Sequence, residues 1–331
     1  MMYIRRGRDA MDTSRLALAA AAFFMASAPP SFAQELDTTT AAAAEPVFSE
    51  HELLEGVGES FSRFTIPVTI DGAGPFRFMI DTGAQATAVT TYVQERVALQ
   101  PAGQAVLIGM AGRGVVNMVD VDRLSLGSQM IDNLLSPVLE RRHVGADGII
   151  GLDSLQGTRV MLDFRDNSIA VATAKELGGN RGYEIVVRAR PNNGQLLITD
   201  AEIDGIRTAV IIDTGAQMTV GNLALQRKLR TKSTSTVVTT DVLGHQLEGQ
   251  HGLARTLKIA GLTLNNIDLS FADTPAFDAL GLNDRPTLAL GMYHLRLFDR
   301  VAIDFDSRKV LFDLPRAAGM RPLDELFTRS M

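Results

Sequence analysis

The hexapeptide IDTGAQ occurs twice in this chain, at residues 80–85 and again at 212–217. Each copy follows an apolar run, FMI at 78–80 and AVII at 209–212, and the copies lie 132 residues apart. A given tripeptide turns up by chance roughly once in several thousand positions, so one Asp-Thr-Gly would carry little information. Two six-residue identities in matching context mark a duplicated unit. A duplication limits the fold, because two copies of one unit pack as equivalent lobes about an approximate two-fold axis.

The repeat extends well beyond the hexapeptide. FTIPVTIDG (64–72) and LLITDAEIDG (196–205) both alternate in hydropathy and end in Asp-Gly, a hairpin turn signal; the return strands PFRFMI and RTAVII lead into Asp81 and Asp213. Ala73-Gly74-Pro75 is expected to lengthen the first of these turns by one residue. Downstream, LSLGSQMIDN (124–133) matches LKIAGLTLNN (257–266), and DGIIGLDSL (147–155) matches TLALGMYHL (287–295). RVMLDFRDNSIAV (159–171) matches RVAIDFDSRKVLF (300–312), each a hairpin turned by polar residues. The chain therefore reads as two β-rich units, 58–175 and 182–315, joined through ELGGNRGY, with a tail at 316–331.

Composition narrows the partners. At 46% hydrophobic and 21% charged the chain suits a globular fold, and a net charge of −6 offers no basic excess for nucleic acid. Arg5, Arg6, Arg8 and Arg15 precede an apolar stretch from Leu16 to Ala28, and Ser31-Phe32-Ala33 supplies small residues before Gln34. This pattern predicts a signal peptide over 1–33 and export to the periplasm, with secretion as the other destination, Met11 as the alternative start and an uncleaved anchor as the alternative fate. The apolar stretch is too short for a comfortable membrane span, so no stable span is expected after cleavage. Residues 34–57 read as a linker, with a short inhibitory segment as the alternative. The absence of Cys excludes disulfides and a thiol nucleophile.

The elements Ile80-Asp81-Thr82-Gly83-Ala84 and Ile212-Asp213-Thr214-Gly215-Ala216, with Ile149-Ile150-Gly151 and Ala289-Leu290-Gly291, resemble the aspartic proteases, and within them the retropepsin-like branch. The resemblance covers essentially all of 60–315. It implies an all-β fold of two retropepsin-like barrel lobes, few short helices, and one cleft formed within a single chain as a monomer. It implies an endopeptidase of protein or peptide substrates with Asp81 and Asp213 as catalytic pair, without metal or other cofactor. The physical reason is that two carboxyls near a two-fold axis cannot both ionise cheaply, so they share a proton and activate water between them. Gly83 and Gly215 let backbone approach the carboxylates. By resemblance, Thr82 and Thr214 hydrogen-bond across the lobe junction, and the apolar-apolar-Gly signatures pack beside the catalytic loops.

VLIGMAGRGVV (106–116) and VVTTDVLGHQL (237–247) fall at the family's flap position. Met110, Ala111 and Gly112 in the first, and Leu243, Gly244 and His245 in the second, are expected to line the substrate. The flap tips differ, which favours an asymmetric substrate. Gln85 and Gln217 stand where the family usually has an acid that helps bind substrate backbone; an amide still donates and accepts, so altered specificity rather than lost catalysis is expected. Ala84 and Ala216 replace the hydroxyl residue of pepsin-like enzymes, so one hydrogen bond to the charged dyad is lost and activity is expected at mildly acidic to near-neutral pH. Asp163, Asp166, Asp304 and Asp306 read as turn residues, and the five His residues as surface residues, His245 alone being worth testing. The reading from another class is a peptide-binding module of the cell envelope that keeps the cleft without turnover.

Overall fold

The computed structural model describes residues 1–5, 64–127, 129–230 and 235–315. The expected linker and tail lie outside these residues, as does all of the expected signal after Arg5. Those first residues form a short strand, β1 (Tyr3–Arg5).

The first unit runs β2 (Thr65–Ile70), β3 (Ala73–Ile80), β4 (Ala88–Thr90), α1 (Thr91–Val97), β5 (Pro101–Ile108) and β6 (Arg113–Leu126). It continues through β7 (Gln129–Leu139), α2 (Arg141–Val144), β8 (Gly148–Ile150), α3 (Leu152–Leu155), β9 (Arg159–Asp163) and β10 (Ser168–Ala172). After β11 (Ile185–Arg188) and β12 (Arg190–Asn192), the second unit repeats the plan. Its elements are β13 (Gln195–Ile203), β14 (Ile206–Ile212), β15 (Val220–Gly221), α4 (Leu223–Leu229), β16 (Thr236–Thr240) and β17 (Gln246–Ile259). They are followed by β18 (Leu262–Phe271), α5 (Pro275–Ala279), β19 (Thr287–Leu290), α6 (Met292–Leu295), β20 (Arg300–Asp304) and β21 (Lys309–Asp313). The molecule is mostly β with short helices, as the resemblance implies.

Each unit closes a sheet on itself. In the first, strands pair in the order β6-β2-β3-β8-β4-β7 and β6 pairs again with β7. In the second, the order is β13-β14-β19-β15-β18-β17, closed by β13 with β17. Strand for strand the two rings are equivalent. Inward residues of the long strands alternate with outward ones: Val119, Val121, Leu124 and Leu126 of β6 are buried, as are Ala254, Leu257 and Ile259 of β17. Closure leaves few free edges, and burial of the inward aliphatic and aromatic side chains supplies the main stabilisation, about 1.5–3 kcal/mol for each large one.

Both Asp-Gly turns are two-residue turns with positive φ: 51° and 79° at Asp71 and Gly72, 46° and 78° at Asp204 and Gly205. The first turn is therefore not longer than the second. Its extra residue is taken up as a bulge on the return strand, where the register slips between Val68 opposite Phe76 and Ile70 opposite Ala73. Gly74, at φ 131°, accommodates the slip.

A third sheet, in the order β10-β9-β20-β21-β11, takes two strands from the first unit and three from beyond it. At its centre β9 pairs antiparallel with β20, placing Met161 opposite Ala302. Arg159, 1% exposed, donates to Asp304 at 2.6 Å and 3.2 Å, while the other oxygen of Asp304 accepts from Ser307 N–H. Asp163 accepts from the N–H groups of Arg165 and Asp166. Turn chemistry thus explains Asp163 and Asp304, with a buried ion pair added at Asp304. Among the described residues no helix is long and apolar enough to cross a membrane.

Candidate active site

Asp81 and Asp213 stand where β3 and β14 end, one on each lobe. A parallel neighbour fixes each exit, β8 beside β3 and β19 beside β14. Asp81 N–H donates to Ile150 O and Asp213 N–H to Leu290 O, both at 3.0 Å. The glycine that follows each neighbour strand is dictated by the loop running over it. A Cβ on Gly151 would lie 2.4 Å from the carbonyl carbon of Ala86, and one on Gly291 2.4 Å from Met218 O. The next helices hold the loops in the same way: Leu152 N–H donates to Ala84 O at 2.8 Å, and Met292 N–H to Ala216 O at 2.9 Å. The apolar-apolar-Gly signatures are therefore seats for the two Asp loops.

Across the lobe junction the loops interlock. Thr82 N–H donates to Thr214 Oγ1 at 3.1 Å, and Thr214 N–H to Thr82 Oγ1 at 3.2 Å. Each hydroxyl in turn donates a hydrogen bond to the opposite strand end, Thr82 to Ile212 O at 2.7 Å and Thr214 to Ile80 O at 2.8 Å. The glycines pack reciprocally as well. A Cβ on Gly83 would fall 2.6 Å from Asp213 Oδ1, and one on Gly215 2.3 Å from the carboxyl carbon of Asp81. Both carboxyls are buried, at 2% and 0% exposure.

A family model described as aspartyl protease matches residues 66–154 and 199–293, more than half of the chain. The chain belongs to the aspartyl protease family. Each matched segment holds one Asp-Thr-Gly loop with its seat, in keeping with a two-lobed retropepsin-like member. Among curated proteins, none matches the chain.

The surroundings of this aspartyl protease's two carboxyls differ. Asp213 Oδ1 accepts from Gly215 N–H at 3.1 Å and Ala216 N–H at 3.2 Å. Asp81 Oδ1 accepts from Gly83 N–H at 2.8 Å. Burial pushes the Asp81 carboxyl up to about 6; the Met1 ammonium opposes that shift and the neighbouring Asp213 charge adds to it. Burial and a like-charged neighbour thus raise it, where the sequence suggested a missing hydroxyl as the cause. The direction is the one expected from Ala84 and Ala216.

Two hairpins cover the aspartyl protease's cleft, β5–β6 with its tip at 109–112 and β16–β17 with its tip at 241–245. Their tips touch. Asp241 Oδ2 accepts Ala111 N–H at 3.0 Å, while Asp241 Oδ1 accepts the N–H groups of Leu243 and His245 at 2.9 Å and 3.0 Å. Gly112 lies under the His245 ring, 2.3 Å from where a Cβ would be, and Gly244 faces His143. Met110 packs on an apolar cluster of the second lobe, and Leu243 on one of the first. The tips are thus crossed, each resting on the opposite lobe. Arg113 pairs with Asp278 at 3.3 Å and anchors the first flap again.

Gln85 sits at the cleft edge, where Nε2 donates to Asn193 O at 2.9 Å. Gln217 turns inward, and its Nε2 has no partner among the described residues. Sequence reading passed over several residues that shape the site. Thr87 and Thr219 are equivalents whose hydroxyls each accept the N–H of the seat glycine, Gly151 or Gly291, at 3.1 Å. The signal was present, because the repeat continues as IDTGAQ-x-T in both copies. His294 is a correction: it is 1% exposed rather than on the surface, bonded to Thr219 Oγ1 at 2.7 Å, and burial pushes its imidazole down to about 4. Its equivalent in the first lobe is Ser154, whose hydroxyl meets that of Thr87 at 2.6 Å, while the neighbouring Asp153 accepts from Thr87. Gln195 is buried and donates to Gly83 O at 2.9 Å. Nothing in the local sequence distinguishes it from an ordinary strand residue. No cluster of three or more His, Cys, Asp or Glu among the described residues is arranged to hold a metal.

Asp241 also escaped notice, because an Asp at a hairpin turn is commonplace. As the link between the tips it should hold both flaps down on a bound peptide. A charge-assisted hydrogen bond contributes about 1.5–3 kcal/mol, so Asp241→Ala is expected to weaken binding of an extended peptide by about tenfold or more. Peptide titration by fluorescence polarisation checks this, and unchanged affinity would show that the tips close without the link.

Proposed function

We propose that this aspartyl protease is an exported endopeptidase in which Asp81 is the acid and Asp213 the base of one dyad. The observation that carries the reading is the pair of buried carboxyls, from equivalent loops, with different hydrogen-bond surroundings. The two N–H donors at Asp213 steady a negative carboxylate, and the raised Asp81 carboxyl keeps its proton in mildly acid solution. A water between them gives a proton to Asp213 as its oxygen bonds to the scissile carbonyl carbon. Asp81 gives its proton to the carbonyl oxygen. The resulting diol collapses: the C–N bond breaks, the amine nitrogen takes the proton held on Asp213, and one diol hydroxyl returns a proton to Asp81. Dyad and charge are restored, with no covalent intermediate. An extended peptide would lie under the flaps as an added strand, its side chains alternating between the lobes. Export is supported by the Arg-rich start and the apolar stretch that follows it.

Digestion of a peptide library in ¹⁸O-labelled water tests the reaction. Each new carboxyl should carry one labelled oxygen, and added amine should not be incorporated into a new peptide bond. Because the acid must hold its proton, and burial raises the Asp81 carboxyl, kcat/KM is expected to fall as pH rises beyond the mildly acid range. Amine incorporation, which marks an acyl-enzyme, would overturn the mechanism; an optimum near pH 2 would overturn the expectation of activity at mildly acidic to near-neutral pH.

A further inference from the structure

The two ends of the cleft have the same main chain and different side chains. Asp153 follows the seat glycine Gly151 by two residues, and Tyr293 follows Gly291 by two. Each is tied to the last residue of its hexapeptide through the backbone. Asp153 N–H donates to Gln85 O at 3.2 Å, and Tyr293 N–H to Gln217 O at 2.9 Å. One end of the cleft therefore presents a carboxyl where the other presents a phenol.

At the Asp153 end lies a shallow pocket of about 360 Å³, lined by Asp153 with Gln85, Gln156, Asn193 and Tyr3. It bridges the two units. Gln85 Nε2 donates to Asn193 O at 2.9 Å, and Gln156 Nε2 donates to Leu152 O at 3.0 Å and Gly194 O at 3.4 Å. Asn193 and Gly194 make the turn between β12 and β13. With both carboxamide nitrogens bonded to carbonyls, acceptors outnumber donors in the pocket. Thr87 aims the carboxylate: Asp153 Oδ1 accepts its hydroxyl at 2.6 Å and its N–H at 2.9 Å, and Oδ2 lies 3.0 Å from the same N–H. No Lys, Arg or His among the described residues forms an ion pair with Asp153. Partial burial raises its carboxyl and the Thr87 bonds oppose that rise, so a cation beside it would offset a charge that the fold leaves uncompensated.

We infer that this pocket is a subsite for a basic side chain of the substrate, with Asp153 as the specificity-determining residue, and that the Tyr293 end carries no matching preference. That the ligand is a peptide rests on the endopeptidase reading; that its side chain is basic rests on the pocket. An ammonium brings three donors and no acceptor, which suits Asp153 and the oxygens of Gln85 and Gln156. An extended peptide turns alternate side chains to one lobe, so the base enters from a single position of the strand. A peptide carrying its base at the other end gains nothing, and the cleft thereby tells the two directions of a substrate apart.

Binding to the full chain carrying Asp81→Asn, which is expected to hold peptides without cutting them, tests this by fluorescence polarisation. Decapeptides of one fixed sequence place a single Lys at each position in turn, each compared with the same peptide carrying norleucine there. Lys is expected to bind about tenfold more tightly than norleucine at one position, the scale of one charge-assisted bond. Each comparison is a ratio on one chain, so anything else that competes for the cleft cancels. Adding Asp153→Asn keeps an acceptor for Thr87 but removes the charge, and should cut the advantage to about threefold or less. Adding Asn193→Asp instead puts a second carboxylate at the rim, at a φ of 49° that Asp tolerates as Asn does, and should enlarge it. A Lys advantage at every position alike, at no position, or unchanged by both substitutions would overturn the inference; if Asp153→Asn does not fold, an unchanged advantage in Asn193→Asp alone overturns it. Hydrolysis is scored separately with Asp81 intact. Positional binding without any cleavage would reject the endopeptidase reading and leave the subsite standing, while cleavage without the preference would do the reverse.

Discussion

Asp81→Asn and Asp213→Asn are each expected to abolish hydrolysis, by about 10⁴-fold or more, and the double variant should be no worse than either single one. The expectation follows from the proton circuit. Asn at 81 cannot hand a proton to the carbonyl oxygen, and Asn at 213 cannot take one from water. Either loss stops the whole exchange. Stability measurements separate this from unfolding. Asp81 in the folded chain titrates at about 6, against 3.8 for an unperturbed carboxyl. Between those values the folded state holds more protons than the unfolded one, so stability falls as pH rises from about 4 to about 6 and stays lowered above. Asn has no proton to lose. Asp81→Asn should therefore raise the thermal midpoint above pH 6 and flatten its slope below. Full residual hydrolysis in either single variant would reject the dyad, and a lowered midpoint at pH 7 would show that the Asp81 charge supports the fold.

Thr82→Val and Thr214→Val should be the most damaging substitutions of similar volume at the lobe junction. Valine preserves shape but neither donates nor accepts. Thr82→Val strands Ile212 O and Thr214 N–H; Thr214→Val strands Ile80 O and Thr82 N–H. A buried group left without its partner costs about 1–3 kcal/mol, so each variant should lose about 2–5 kcal/mol in urea titrations. The pair should lose less than the sum, because one breach already admits water to the junction. Ser at either position keeps the hydroxyl and should restore most of the stability and of kcat. An additive pair, or a Ser variant as damaged as Val, would mean that the methyl packing rather than the bonds holds the junction.

Much of this was legible in the sequence, for identifiable reasons. Hairpins are local objects, so Asp71-Gly72 and Asp204-Gly205 announced their turns through the φ values they tolerate. The duplication announced the two-fold arrangement, and with it the partnership of Asp81 with Asp213. Contacts that depend on tertiary placement were not legible. Gln195 reaches Gly83 because β13 begins beside the opposite lobe, and Asp241 reaches Ala111 because two hairpins bend toward one another. His294 is buried because α6 lies beneath an Asp loop. The extra residue before Phe76 was visible but ambiguous, since a longer turn and a bulge use the same count of residues. Most of all, an Arg-rich apolar start reads as an address label, and its first five residues gave no hint that they complete a sheet.

The central seam bears on how such a chain can diverge. β9 meets β20 with Met161 opposite Ala302, which are equivalent positions of the two units, so the seam is self-complementary about that point. One unit already carries the instruction to pair with its own kind; joining two of them settles stoichiometry and leaves geometry unchanged. In an assembly of identical copies every substitution would appear twice. In the joined chain it appears once, and the two ends of the seam record that freedom: Arg159 pairs with Asp304, while its counterpart Arg300 turns to Asp313. Single-copy features such as Asp241, Gln195 and His294 are available only to a molecule whose halves are free to become different.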